Sequence, residues 1–153
     1  MIKNSKSILY YIIVYIIVGF IGWMWEYIYS GFTKDKCGDS FIKNYLKICI
    51  PFLNIYAIGA IILILINNIF SINVIYLSIL AGLILSTYEC ISGYISKYIN
   101  KGKREWDYRG KHFIPLCSGY TSVEVFIFWV ISAIIFYKFL EPVIDRTVIS
   151  FFK

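Results

Sequence analysis

Residues 74–95 read VIYLSILAGLILSTYECISGYI, with Glu89 as the single charge. A helix needs about 20 predominantly apolar residues to cross the hydrocarbon core of a bilayer, so this stretch predicts a transmembrane helix. Within it Ser78, Gly82, Ser86, Glu89 and Gly93 recur every three or four residues, and Ser96 continues the series. On a 3.6-residue helix these positions share one face. Lipid gives one apolar helix no reason to prefer another, so membrane helices pack through such stripes of small residues. The stripe marks the inward face, and Glu89 lies on it. A carboxylate in hydrocarbon costs about 2.5–3.5 kcal/mol on insertion scales, which a partner or a function must offset.

Three further stretches have the same character, at about residues 8–29, 49–66 and 122–140. The chain of 153 residues is 59% hydrophobic and only 16% charged, against roughly 25% charged in an ordinary soluble domain. Its mean hydropathy is +0.72. The expected architecture is therefore all-α: a polytopic membrane protein whose four transmembrane helices form a bundle, as one domain over residues 1–153. Loop two, Asn67–Asn73, has no charge and is short enough to make helices two and three antiparallel neighbours. Loop three, about Ser96–Thr121, is punctuated by Gly102, Gly110, Pro115 and Gly119. It predicts a short interfacial segment with Trp106 and Tyr108 at headgroup level. The N-terminal lysines before an apolar run resemble a signal peptide, but the run continues through Trp23, Trp25 and Glu26 without a small-x-small cleavage site, so it reads as the first helix.

With four crossings, loops one and three share a membrane face. Glu26, Asn54, Glu89 and Glu124 then belong to the four helix ends that meet there, and the three glutamates form an intramembrane layer. Gly19, Gly22, Trp23 and Glu26 also share a helix face, where the glycines let a neighbouring backbone come close. Glu26 and Glu124 lie near enough to the interface to reach water by extending. Glu89 is either tied to hydroxyls such as Ser78 and Ser86, to Tyr88 or to Asn54 as glue between helices, or it serves a function. Loop one holds four and loop three six of the fifteen Lys and Arg residues. The positive-inside rule places both loops in the cytoplasm of a multi-pass cell-membrane protein. On that side disulfides are not expected, and Cys37, Cys49, Cys90 and Cys117, without a C-x-x-C spacing, read as small apolar residues.

Several function classes drop out. The net charge of +6 comes from loop residues that orient the chain, so no nucleic-acid partner is implied. His112 is the only histidine, and no H-E-x-x-H, E-x-x-H or D-x-D-x-D spacing occurs, so no metal site is expected. Neither a phosphate-binding G-x-x-x-x-G-K-[ST] loop nor a G-x-S-x-G elbow is present. The aromatics imply a membrane-interface belt and packing, with no cofactor box.

Gly22-Trp23-Met24-Trp25-Glu26, the run from Pro51 to Ala60 containing Asn54 and Tyr56, Glu89 with Ser92-Gly93, and Trp106-Asp107-Tyr108 occur in that order. Together with Gly119-Tyr120 and Trp129, they resemble the CmpB-like ABC-transporter permease family across about residues 15–145. Members look like small multi-pass bacterial membrane proteins with a G-W-x-x-E element and a W-D-Y loop. Asn54 and Ala57 stand where the family pattern has Pro and Gly, and Val130 follows Trp129 where Gly is usual. The resemblance implies a transport component that works with a separate ATPase or another membrane subunit. A subunit this small would need to oligomerise to build a path.

Three readings follow. In a transport component, Glu89 would be the central ligand or proton carrier, with Glu26, Glu124, Asn54 and Tyr56 around the same layer. Trp106, Asp107, Tyr108 and Arg109 would then belong to a loop-three cap. In a membrane enzyme on a lipid-linked substrate, Glu89 or Glu26 would be the general base, with Arg109 or Lys111 holding a phosphate. In an interaction or assembly protein, the glutamates only lock helices together.

Overall fold

The structure is a computed structural model and describes residues 7–33, 41–104, 106–110 and 114–151. Most of the described residues are helical. Helices α1 (Ile8–Thr33), α2 (Phe41–Ile69) and α3 (Val74–Ile99) are followed by a non-helical segment, and then by α4 (Val123–Ile135) and α5 (Glu141–Phe151). A π-helical turn, Phe136–Leu140, joins the last two with helical backbone at both junctions, so they run as one rod. Among the described residues, three helical stretches are long and apolar enough to cross a membrane: Ile8–Glu26, Val74–Ile99 and Val123–Val148. A shorter apolar stretch, Ile55–Ile69, lies in α2.

The helices reach past the apolar runs that predicted them. Once a helix is nucleated, each added residue gains a hydrogen bond whatever its hydrophobicity. Thus α2 begins at Phe41 and includes Lys43 and Lys47, which the sequence placed in loop one, and the last helix passes Leu140 to Phe151. Where a helix does start sharply, a cap is responsible. Asn73 Oδ1 accepts from the Ile75 amide at 2.9 Å, and Ser122 Oγ accepts from the Val125 amide at 3.1 Å, each satisfying a donor that the helix leaves orphaned.

The chain separates into two compact units, residues 1–65 and 66–153. In the first, Tyr10 and Val14 of α1 and Ile55, Ala57, Ala60 and Ile64 of α2 are buried, while Ile8, Ile12, Ile16 and Phe20 form an exposed stripe at steps of four. Gly22 lies against the ring of Tyr56, and a Cβ at this position would fall within it. Gly22→Ala is expected to cost about 1–3 kcal/mol by overpacking, because the obstructing atoms sit at the root of the Tyr56 side chain and cannot swing away. Thermal unfolding in detergent measures this.

The second unit is built on the pairing of α3 with α4. Gly82 faces Phe126 and Val130, and Leu77, Ser78, Ala81, Leu85, Val125, Trp129 and Ala133 are buried between or beside the helices. On the far side of α4, Ile127, Ile131, Ile135 and Phe139 are exposed. Large aliphatic residues outside, with small and polar residues inside, reverse the pattern of a soluble helix pair and suit a lipid surround.

The segment between α3 and α4 departs from an all-helical fold. Two short strands, β1 (Pro115–Leu116) and β2 (Thr121–Ser122), pair antiparallel with Pro115 opposite Ser122 and Leu116 opposite Thr121. The turn between them, Cys117–Gly119, holds three successive residues at positive φ: 53°, 56° and 88°. For Cys117 and Ser118 that conformation costs about 1–3 kcal/mol each and persists only where the surroundings enforce it. One restraint is a disulfide between Cys117 and Cys90 of α3, with Cα atoms 6.0 Å apart. The expectation of four unpaired cysteines is thereby corrected. The partners are 27 residues apart, and it is the return of the chain onto α3, which no local spacing encodes, that brings them together.

Candidate functional site

Glu89 is only 4% exposed, and its carboxylate meets three side-chain donors. Tyr108 OH donates to Oε1 at 2.9 Å, while Trp129 Nε1 and Thr121 Oγ1 reach Oε2 at 3.2 and 3.4 Å. They come from loop three, from the strand leading into α4 and from α4 itself. Trp129 faces inward because Val125, Trp129 and Ala133 repeat every four residues, and a buried indole N–H requires an acceptor. The partners weighed in the sequence were Ser78, Ser86, Tyr88 and Asn54. The donors identified here lie 19 to 40 residues from Glu89 in the chain, so spacing along α3 could not disclose them.

Loop three holds Tyr108 in place through a compact set of contacts. Asp107 Oδ1 accepts from the Arg109 amide at 3.0 Å, forming an Asx turn, and the two carboxylate oxygens grip the Arg109 guanidinium in a bidentate pair. Arg104 approaches Asp107 Oδ2 at 3.3 Å, donates to Ser118 O at 2.7 Å and stacks 4.5 Å above the Tyr120 ring. Trp106 Nε1 donates to Tyr120 O at 3.0 Å, and the Tyr108 amide donates to Gly119 O at 2.8 Å. Trp106 and Tyr108 are therefore partly buried, and their polar tips meet protein acceptors. Tyr120 in turn rests against Gly93, where a Cβ would collide with its ring.

The hydrogen bond from the Arg109 side chain holds the Asp107 carboxyl down at about 2, against an ordinary value near 3.8. A depressed carboxylate contributes stability above its unfolded pKa, which is lost as the pH falls through the folded value. The Asp107 contacts should therefore persist down to about pH 4 and fail between about pH 4 and pH 2. Tryptophan emission followed through acid titration, with Asp107→Asn as the reference, reports this. The difference between the two proteins should vanish below about pH 2.

In the first unit, Tyr56 OH donates to Glu26 Oε1 at 2.7 Å. Gly22 and Glu26 are one turn apart on the same face, so the ring that sits on the glycine delivers its hydroxyl to the carboxylate. In α3 Glu89 and Gly93 are likewise one turn apart, but the two roles fall to different tyrosines: the Tyr120 ring occupies the glycine, and Tyr108 donates to the carboxylate. Glu124 stands in the first turn of α4 behind its cap Ser122, where the helix N-terminus favours a negative charge. Asn54 lies within α2, and its side chain falls outside the described residues, as do Lys111 and His112. No three acidic, histidine or cysteine side chains converge as metal ligands among the described residues.

One buried carboxylate escaped the sequence reading. Glu141 is 6% exposed and accepts from Asn67 Nδ2 at 2.9 Å. Its signal was the renewed apolar spacing of Ile144 and Val148 beyond Pro142, which a boundary at residue 140 cut off.

The chain matches the family described as putative ABC-transporter type IV over residues 13–153. It belongs to that family. Both tyrosine–glutamate contacts lie inside the matched region, and so does the whole loop-three cap. Comparison with curated proteins and with solved structures returns no match. Membership in an ABC-transporter family, together with helices able to span a bilayer, gives a membrane protein of transport type that associates with other transporter subunits.

Proposed function

We infer that this family member is a permease-like transport component: a four-span, multi-pass bundle forming one transmembrane domain, with loops one and three in the cytoplasm. Glu89 and Glu124 contribute to its intramembrane glutamate layer from the second unit, and Glu26 from the first. Glu89 is the central group, binding a cation, a proton or a polar substrate, and Tyr108 covers it from loop three. Glu26 with Tyr56, and Asn54 nearby in sequence, make a second polar position. The observation that carries this reading is a buried carboxylate that meets three side-chain donors, one of them, Tyr108, on the non-helical segment between α3 and α4. The chain has no phosphate-binding loop of its own, so the energy source is a separate ATPase, and the path is completed by further copies or another subunit.

The enzyme reading loses one of its two candidate phosphate ligands: Arg109 is engaged by Asp107, while Lys111 lies outside the described residues. The assembly reading is supported by the satisfied hydrogen bonds of Glu89. Purification from native membrane discriminates among the three. An ATPase that co-purifies in fixed proportion is expected, and its absence, combined with normal activity of Glu89→Gln, would favour assembly. Reporter fusions after residues 35 and 105 should give the same cytoplasmic signal, and opposite signals would remove the four-span topology.

A further inference from the structure

We propose that the Cys90–Cys117 disulfide is a redox-operated latch that holds the loop-three cap closed over Glu89. Cys90 is the residue next to Glu89, and Cys117 begins the turn whose three residues all sit at positive φ. The bond therefore ties the most strained backbone among the described residues to the helix that carries the buried carboxylate.

The same turn is linked to two of the donors on Glu89. Gly119 O accepts from the Tyr108 amide at 2.8 Å, and Thr121 follows two residues later as the paired strand residue opposite Leu116. Arg104 on Ser118 O and Tyr94 OH on Ser118 Oγ, at 2.7 and 3.1 Å, also hold the turn, and both reach an exposed residue; the Tyr120 amide closes it on Cys117 O at 3.2 Å. Cutting the disulfide removes the only covalent restraint. Cys117 and Ser118 can then relax toward negative φ, which draws Gly119 away from Tyr108 and Thr121 away from Glu89.

A reductant can reach the bond. Both cysteines line a groove of about 410 Å³ together with Ser86, Leu116, Thr121 and Phe126. A dithiol supplies the chemistry: one thiolate attacks a sulfur of the disulfide and expels the other as a thiolate, and its second thiol then displaces the protein from the mixed disulfide. The dithiol leaves as a disulfide, and Cys90 and Cys117 each end as a thiol, having gained two electrons and two protons between them. On the cytoplasmic side, where the Lys and Arg distribution puts loop three, disulfides that do form are of this transient, redox-sensing kind.

The latch rests on the reading of Glu89 as the working carboxylate, and access to that group is directly measurable. The full chain in detergent is oxidised, then treated with a hydrophobic carbodiimide, with and without prior dithiothreitol, and the adduct at Glu89 is quantified by mass. Reduction is expected to raise the yield roughly tenfold, and reoxidation should restore the low value. Cys90→Ser should give the high yield in both conditions, while Cys37→Ser should behave as the parent protein. Equal yields from the oxidised and reduced parent protein, or free thiols at both positions after oxidation, would overturn the latch. A redox-dependent yield with transport unaffected by Glu89→Gln removes the transport reading and leaves the latch standing. The reverse pair of results removes the latch alone.

Discussion

Glu89→Ala is expected to destabilise the protein by about 3–5 kcal/mol, a large part of the roughly 5–15 kcal/mol that holds a typical domain folded. Its three donors are not equivalent. Tyr108 is half-buried and can turn to water, whereas Trp129 Nε1 and Thr121 Oγ1 point into the interior. Each stranded buried donor costs about 1–3 kcal/mol, and the missing carboxyl group leaves a void as well. Glu89→Gln separates packing from charge. An indole N–H can only donate, so the glutamine carbonyl takes the Trp129 side, and its amide meets the Tyr108 oxygen. That variant should lose about 1 kcal/mol and give nearly normal folded yield, yet fail in transport. Unfolding in detergent, with the exposed Arg146→Ala as reference, tests the first statement. Should Glu89→Ala match that reference, Glu89 would be neither glue nor site.

Gly119→Ala carries the second large effect, about 2–5 kcal/mol, because two costs coincide. The backbone sits at φ +88°, where an L side chain is disfavoured by about 1–2 kcal/mol. The added methyl would also stand 2.6 Å from both Asp107 Oδ1 and Arg109 Cγ, adding about 1–3 kcal/mol of overpacking. Gly110 provides an internal control. It also has positive φ, at +75°, but a Cβ there meets nothing within 4 Å, so Gly110→Ala should show only the backbone part. The damage at Gly119 should be local, loosening Tyr108 and exposing residues 104–120 to protease before the helices melt. Equal protease sensitivity in the two variants would mean that the Asp107–Arg109 pair yields to the methyl without cost.

The helices were legible because their information is local. An apolar run of sufficient length and a recurrence of small residues every three or four positions suffice to place α3 and orient it. The buried set Ser78, Gly82, Glu89 and Gly93 follows the predicted stripe. The use of each small residue was not legible. Gly82 admits a neighbouring helix, as small residues in a membrane commonly do, but Gly93 seats Tyr120 from loop three and Gly22 seats Tyr56. The family resemblance singled out Trp106, Asp107 and Tyr108 without disclosing their bonds, since a loop stabilised by contacts across 14 to 19 residues leaves no periodic trace. The Cys90–Cys117 pairing was hidden for the same reason, and loop charge argued against it.

The π-helical turn at Phe136–Leu140 sets the phase of everything after it. The Glu141 amide bonds to the Phe136 carbonyl five residues back, which accommodates one residue more than an α-helical turn and rotates the following side chains by about 100° relative to an uninterrupted helix. The rod consequently has two keyed faces. Upstream of the turn it is cut to fit α3, and downstream it is cut to bring Glu141 to Asn67. Excising one residue from the turn would leave both halves helical and the first half seated, while swinging Glu141, Ile144 and Val148 round toward the lipid.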